Sequence, residues 1–323
     1  MGISPVFKAE AASDLRQDVF KISLSLCIYP ALCSFIASIF LGIYSNQGSL
    51  NGDELAAAFL KSGYYPVYML TIALVPLLVC ILVLCLLLKR KTTILSLKPS
   101  CKKSDFFSLL ISGLIILPAG AVASVLSQKV LEFFEVNLSQ IEVPSGRLAT
   151  VIFILSHAVL APVLEELLFR CVILERLRRY GDLFAVLASS LLFSLLHASF
   201  ESYLPAFVSG VVLALLAIYT GSMLCPLILH ILNNALSVTM ILIGDNISNT
   251  AADLIYIGII GFAFIISFSV IFYLRKEKPE LFRFKFREKI ISSGRKAQLL
   301  LLSFATIVFM VFSISIALSG AAN

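Results

Sequence analysis

Apolar runs of about twenty residues recur along the whole chain, broken by short polar stretches that carry most of the charge. A helix needs roughly 20 apolar residues to cross the ~30 Å hydrocarbon layer of a bilayer. Backbone groups in lipid must be satisfied within their own segment, so each run predicts a transmembrane helix. Nine candidates follow, at about 22–44, 65–88, 106–127, 148 to the Arg176-Leu177-Arg178-Arg179 stretch, 183–200, 203–219, 223–243, 254–274 and 299–318. The predicted fold is therefore all-α, a polytopic transmembrane helical bundle of about nine spans. Residues 1–21 read as a polar tail, and Asn51-Gly52-Asp53-Glu54, Gly181-Asp182, Gly221-Ser222 and Gly244-Asp245-Asn246 as turns between spans. Pro118 predicts a kink in the third span. Pro162 predicts that the fourth, some 30 residues long, is bent or divided into two helices.

Composition strengthens this reading. Hydrophobic residues make up 59% of the 323 and charged residues 14%, against about 25% charged in soluble domains. The net charge of +6 reflects orientation and gives no ground for nucleic-acid binding. With the N-terminus in the cytoplasm, the tail and the loops 89–105, 175–182, 220–222 and 275–298 fall inside and hold 21 of the 25 Lys and Arg. The basic run Lys89-Arg90-Lys91 lies in this set, whereas the loop 128–147 is acidic on balance, with Glu132, Glu135 and Glu142. Such a bias satisfies the positive-inside rule and places the C-terminus outside, in a membrane expected to be the plasma membrane of a prokaryote. The first apolar run is too long for a signal-peptide core and is expected to remain as an anchor. The seven cysteines lie mostly in apolar runs without C-x-x-C spacing and read as small buried residues. With no Trp, Tyr203 and Tyr219 are candidate interfacial anchors. Arg283-Phe284-Lys285-Phe286-Arg287 has the pattern of a grip on anionic head groups.

Against this apolar background, Pro162-Val163-Leu164-Glu165-Glu166-Leu167-Leu168-Phe169-Arg170 stands apart. A charge near the bilayer centre costs ~2.5–3.5 kcal/mol on insertion scales, and intramembrane ionisable groups mark function by default. Glu166 and Arg170, four apart, share a helical face and can pair. Glu165 then points elsewhere and stays free for chemistry. The plain alternative is a structural ion pair at a span end. All three histidines fall in this half of the chain: His157, His197 in Phe193-Ser194-Leu195-Leu196-His197, and His230 in His230-Ile231-Leu232-Asn233-Asn234. A glutamate and a neutral histidine can hold a water between them with the carboxylate as general base. His230 and Asn234 can donate to the oxygen where charge builds. The same Glu165, His197 and His230 are an alternative zinc set, although no H-E-x-x-H is present. No G-x-S-x-G supports a serine nucleophile. His157, about 12 Å from Glu165 along a continuous helix, reads as a packing or hydrogen-bonding residue, and Asn233 as a bond to a neighbouring helix.

Glu165-Glu166-x-x-x-Arg170, Phe193-x-x-x-His197 and His230-x-x-x-Asn234, in that order and each on an apolar helix, resemble the three motifs of the CAAX prenyl endopeptidase and bacteriocin-processing (CPBP or Abi) intramembrane proteases, related to the Rce1-type prenyl proteases. The resemblance spans roughly 105–243. It implies a CPBP membrane core of eight helices, with Glu165 and His197 activating water, His230 and Asn234 holding the oxyanion, and Glu166 and Arg170 supporting the first motif. The family was long described as metalloproteases, and a metal-free glutamate mechanism is now favoured. Zinc stays open as a cofactor.

The expected organisation is residues 1–104 as a tail with two spans and a basic loop, 105–243 as the catalytic membrane domain, and 244–323 as two further spans with a basic linker at 275–298. A conical cavity between spans four to seven would admit a peptide or lipidated protein from the cytoplasmic side. From other classes come a non-catalytic immunity or scaffold protein of the same fold and a proton-coupled transporter, for which the inverted repeats common in transporters are not evident.

Overall fold

The computed structural model describes residues 5–45, 55, 58–88, 97–136, 146–244, 248–282 and 290–321. Among them every regular element is helical. The turn Asn51–Glu54, the run Lys89–Lys91, Glu142, Asp245-Asn246 and the stretch Arg283–Arg287 lie outside the described residues.

The chain begins with α1 (Pro5–Ser45) and α2 (Tyr65–Leu88), followed by α3 (Lys103–Phe133), which tightens through a 3-10 turn at Gly113–Ile115. Next come α4 (Arg147–Arg178), α5 (Asp182–Leu196), α6 (Phe200–Thr220) and α7 (Leu224–Gly244). The set closes with α8 (Asn249–Glu277), α9 (Ser293–Leu301) and α10 (Phe304–Ala321). Seven of these, α1–α4 and α6–α8, are long and apolar enough to cross a membrane. Helices α9 and α10 meet at 61° and pass that test only as a pair. The apolar helix α5 has 15 residues, short of a full crossing. Each of the nine predicted runs thus has a helix, and the chain is an integral membrane protein.

Two features depart from the local pattern. Helix α1 starts at Pro5, so the polar tail is helical too. Its 41 residues extend roughly 60 Å at 1.5 Å per residue, about twice the hydrocarbon thickness. Pro162 does not divide α4. Instead the helix widens into π-helical turns at Leu155–Leu160 and Leu167–Leu174, on either side of Ala161–Glu166. Ala161 N–H bonds back to Ser156 O, five residues earlier, so the ladder shifts by one just before the proline that lacks an N–H.

Helix α5 runs through the middle of the largest core, packed by α4, α6, α1 and α10. Gly181 lets α4 turn tightly into α5, because its φ of +124° is open only to glycine at low cost. At Gly210 a Cβ would lie 3.2 Å from Ser190 Cα and 3.3 Å from Phe193 Cδ1, so its absence lets α6 close on α5. Helix rise then sets depth. Glu165 lies 13 residues before Arg178, and His197 lies 15 after Asp182, about 20 Å and about 22 Å from the same end of the bundle. An antiparallel pair therefore carries both side chains to one level.

Candidate active site

Glu166 and Arg170 are fully buried, and Arg170 Nε donates to Glu166 Oε2 at 3.0 Å. The Arg170 guanidinium lies over the Phe193 ring, its Cζ 5.2 Å from the centroid. Its Nη1 and Nη2 find no hydrogen-bond partner among the described residues. An aromatic face is an electrostatic partner that needs no acceptor oxygen, and a planar guanidinium can bond at its edge while stacking on its face, as an ammonium cannot. Phe193 also meets Phe169 (5.1 Å), His197 (4.8 Å) and His230 (5.7 Å) edge to face. One ring therefore positions the arginine and both imidazoles.

The second oxygen of Glu166 accepts from His230 Nδ1 at 2.9 Å. That bond turns His230 so that Nε2 faces Glu165 Oε2 at 3.5 Å. Arg170, Glu166, His230 and Glu165 thus form one file of alternating donors and carboxylates. The pairing of Glu166 with Arg170 is as expected from their spacing, but its bridge to His230 is not legible in sequence. Glu165 Oε2 accepts no hydrogen bond among the described residues.

Glu165 and His197 line one cavity of about 250 Å³. His197 Nδ1 lies 3.0 Å from Phe193 O. A carbonyl only accepts, so Nδ1 carries a proton, and in the neutral imidazole Nε2 is the acceptor. The remaining walls differ from the expected ones. Instead of spans four to seven, they come from α4 and α5 with α1 (Tyr29, Pro30, Cys33) and α10 (Phe309, Ser313, Ile316). Sequence reading assigned no role to the first and last spans, and contacts so distant in the chain leave no local signal. A Ser313 hydroxyl inside an apolar run was the one available hint. It donates to Leu195 O at 2.6 Å and meets Tyr203 Oη at 2.7 Å. Tyr203, expected as an interfacial anchor, is a half-buried link between α6 and α10. Leu195 O also receives Ala198 N–H at 3.3 Å, where Ala198 holds the left-handed turn (φ +47°) that ends α5 just past His197.

Asn234 is not among the side chains that line this cavity. Its Nδ2 donates to His157 O at 3.0 Å. The reason lies in α4: the usual donor to that carbonyl, Ala161 N–H, has been diverted to Ser156 O, and the next candidate, residue 162, is a proline. Asn234 supplies the missing donor and fastens α7 to α4. Asn233 Nδ2 bonds Asn234 Oδ1 within the same helix, at 3.4 Å, not a neighbouring one. His157 Nδ1 meets Phe153 O at 3.1 Å and its ring packs on Phe153. Among the described residues no three of His, Cys, Asp and Glu converge as metal ligands do, so Glu165, His197 and His230 do not fit a zinc set.

The family model for type II CAAX prenyl endopeptidase Rce1-like proteins matches residues 147–236. The matched stretch runs from the start of α4 into α7, inside the 105–243 expected from the motifs, and contains every candidate side chain from Glu165 to Asn234. Helices α1 and α10 lie outside it. Among curated relatives, the membrane-embedded CAAX protease MroQ of Staphylococcus aureus (strain USA300) is 31% identical over 109 residues, covering 32% of this chain and 44% of that protein. The chain thus spans less than half the length of the curated relative it matches. No solved structure matches it.

Proposed function

We propose that the protein is an intramembrane endopeptidase of the CAAX-protease type, cutting a peptide or lipidated protein close to the membrane surface. The observation that carries this reading is the Glu165 carboxylate, which lines a small cavity together with His197 and whose buried Oε2, without a hydrogen-bond partner among the described residues, faces His230 Nε2 at 3.5 Å. Glu165 and His197 bind a water, and Glu165 takes its proton as the oxygen attacks the scissile carbonyl carbon. His230, with Nδ1–H engaged by Glu166, donates from Nε2 to the oxyanion when it carries both ring protons. Two carboxylates are then matched by Arg170 and the imidazolium, which suits a low-dielectric site. The intermediate collapses as the C–N bond breaks, and the proton on Glu165 passes to the departing amine. Asn234 keeps a second amide hydrogen, beyond that given to His157 O, for the oxyanion. No step is routed through zinc. In the expected orientation the Arg176–Arg179 end faces the cytoplasm of a prokaryote.

The test is cleavage of membrane-tethered reporter peptides, CAAX-type and leader-type, by the purified full chain in detergent, read by mass spectrometry. Glu165→Gln should lose at least about 10²-fold in rate, the lower range for a removed general base, with its thermal unfolding unchanged. Equal turnover by the variant overturns the reading. Activity should also survive chelation and metal removal.

A further inference from the structure

A polar-edged groove lies away from the carboxylates, and the proposed reaction makes no use of it. A cavity of about 520 Å³ opens between α1 and α9 and closes at the bend into α10. Arg16, Gln17, Phe20 and Lys21 line it from one face of α1, while Arg295, Gln298, Leu299 and Leu302 line it from one face of α9. On α1 the lining side chains are Arg16, Gln17, Phe20 and Lys21, the last standing just before the apolar run that begins at Ile22. On α9 the order runs from Arg295 to Leu302, and on to Phe304 past the bend. The groove therefore sets three cations, Arg16 and Lys21 on α1 and Arg295 on α9, beside an apolar end at Leu302 and Phe304.

Charge complementarity identifies the occupant. No acidic side chain lines the groove. Arg16 and Lys21 make no ion pair or hydrogen bond among the described residues, and Arg295 reaches only Gln298, at 3.3 Å. By contrast, the neighbouring basic residues Arg176 and Arg179 are all matched to Asp18 and Asp14, and a second groove beside them carries its own Glu10 and Asp14. At the apolar end Leu302 and Phe304 are 73% and 74% exposed. Three unmatched cations above exposed apolar side chains, at the level where a helix bends into the membrane, fit a phosphate head group with acyl chains below it.

We propose that this groove is a binding site for one anionic phospholipid, which seats the first and last spans against each other. A surface cation beside anionic lipid is worth about a fivefold change in binding, so removing two should weaken the site about 25-fold. The experiment titrates phosphatidylglycerol, phosphatidylcholine and soluble glycerol phosphate into the purified 323-residue chain in neutral detergent and reads thermal unfolding. Phosphatidylglycerol should stabilise at the lowest concentration. Its half-saturation point should rise about 25-fold in Arg16→Gln/Arg295→Gln and stay put in Arg275→Gln/Lys276→Gln, a pair of cations on α8. Equal effects of the two variants, equal stabilisation by phosphatidylcholine, or full stabilisation by glycerol phosphate alone each overturn the proposal. A photoactivatable phosphatidylglycerol on the unmutated protein gives an answer even if the first variant fails to fold. Labelling of segments 16–21 and 295–304 supports the site, and labelling confined elsewhere overturns it.

Discussion

Asn234 shows how a motif position can answer a backbone need. A carbonyl whose helical donor has been diverted, and whose next donor is a proline, costs about 1–3 kcal/mol if left unpaired away from water, here on the surface of an apolar helix. The Asn234 amide repairs that deficit at His157 O, 77 positions away. Replacing Asn234 by Ala should therefore cost about 1–2 kcal/mol, and much less in a Pro162→Ala background, where residue 162 regains an N–H. Denaturation of the two single variants and the double variant in detergent measures that coupling. Equal costs of Asn234→Ala in both backgrounds would show that the proline is not the cause. Here the sequence was legible only in part. It marked Asn234 as a polar group on an apolar face, and it marked Pro162 as a disturbance, but nothing local ties one to the other. The same holds for Glu166. Its spacing from Arg170 is a property of one helix, while its bond to His230 needs α7 to arrive beside α4.

Among the elements, α5 is the one whose length matters most. A helix of 15 residues ends inside the bundle, not at the far surface, so His197 sits at the depth of Glu165. The turn that ends it is held from α10, where Ser313 links Tyr203 Oη to Leu195 O. Removing that hydroxyl frees the turn without touching Glu165 or His197, the groups to which the proposed reaction assigns the water. Ser313→Ala should lower kcat about tenfold with KM little changed, since small misplacements of a catalytic group cost rate steeply, and Ser313→Thr should restore it. Unchanged kcat in the Ala variant, or no recovery in the Thr variant, removes Ser313 from any positioning role. The apolar run 183–200 predicted this helix correctly as an element. Its early end at Leu196 was not predictable from hydropathy, because Ala198, Ser199 and Phe200 can all continue a helix. The left-handed Ala198 that stops it bonds Leu195 O, the carbonyl that Ser313 reaches from α10.

Across the whole molecule, the stretch outside the Rce1-like match is built into the match. Asp18 on the N-terminal half of α1 takes a two-pronged bond from Arg176, with Nε–Oδ2 at 2.8 Å and Nη2–Oδ1 at 2.7 Å, and a third from Tyr180 Oη at 2.7 Å. Its side chain is only 3% exposed, whereas Asp14, 3.5 Å from Arg179, is 51% exposed. Removing one partner of a buried pair strands the other and costs about 3–5 kcal/mol, while an exposed pair is worth about 0–1 kcal/mol. Asp18→Ala should accordingly lower stability by about 3 kcal/mol and Asp14→Ala by less than about 1 kcal/mol. Comparable losses from the two would argue against a clamp between α1 and the end of α4. The burial of Tyr180 beside the Asp18 carboxylate also raises its hydroxyl well above the usual tyrosine range, so it remains a donor at any physiological pH.

The amino-acid sequence by itself determined the membrane architecture and the short roster of side chains able to do chemistry. Both follow from local quantities: the length of apolar runs measured against a bilayer, and the cost of placing Glu165, Glu166 and Arg170 within one. Tertiary structure alone decided which of those side chains meet, that a proline is absorbed by π-helical turns, and that the first and last helices wall the cavity. Such contacts join residues far apart in the chain through the packing of whole helices, and in lipid a helix presents apolar side chains to a neighbour and to acyl chains alike.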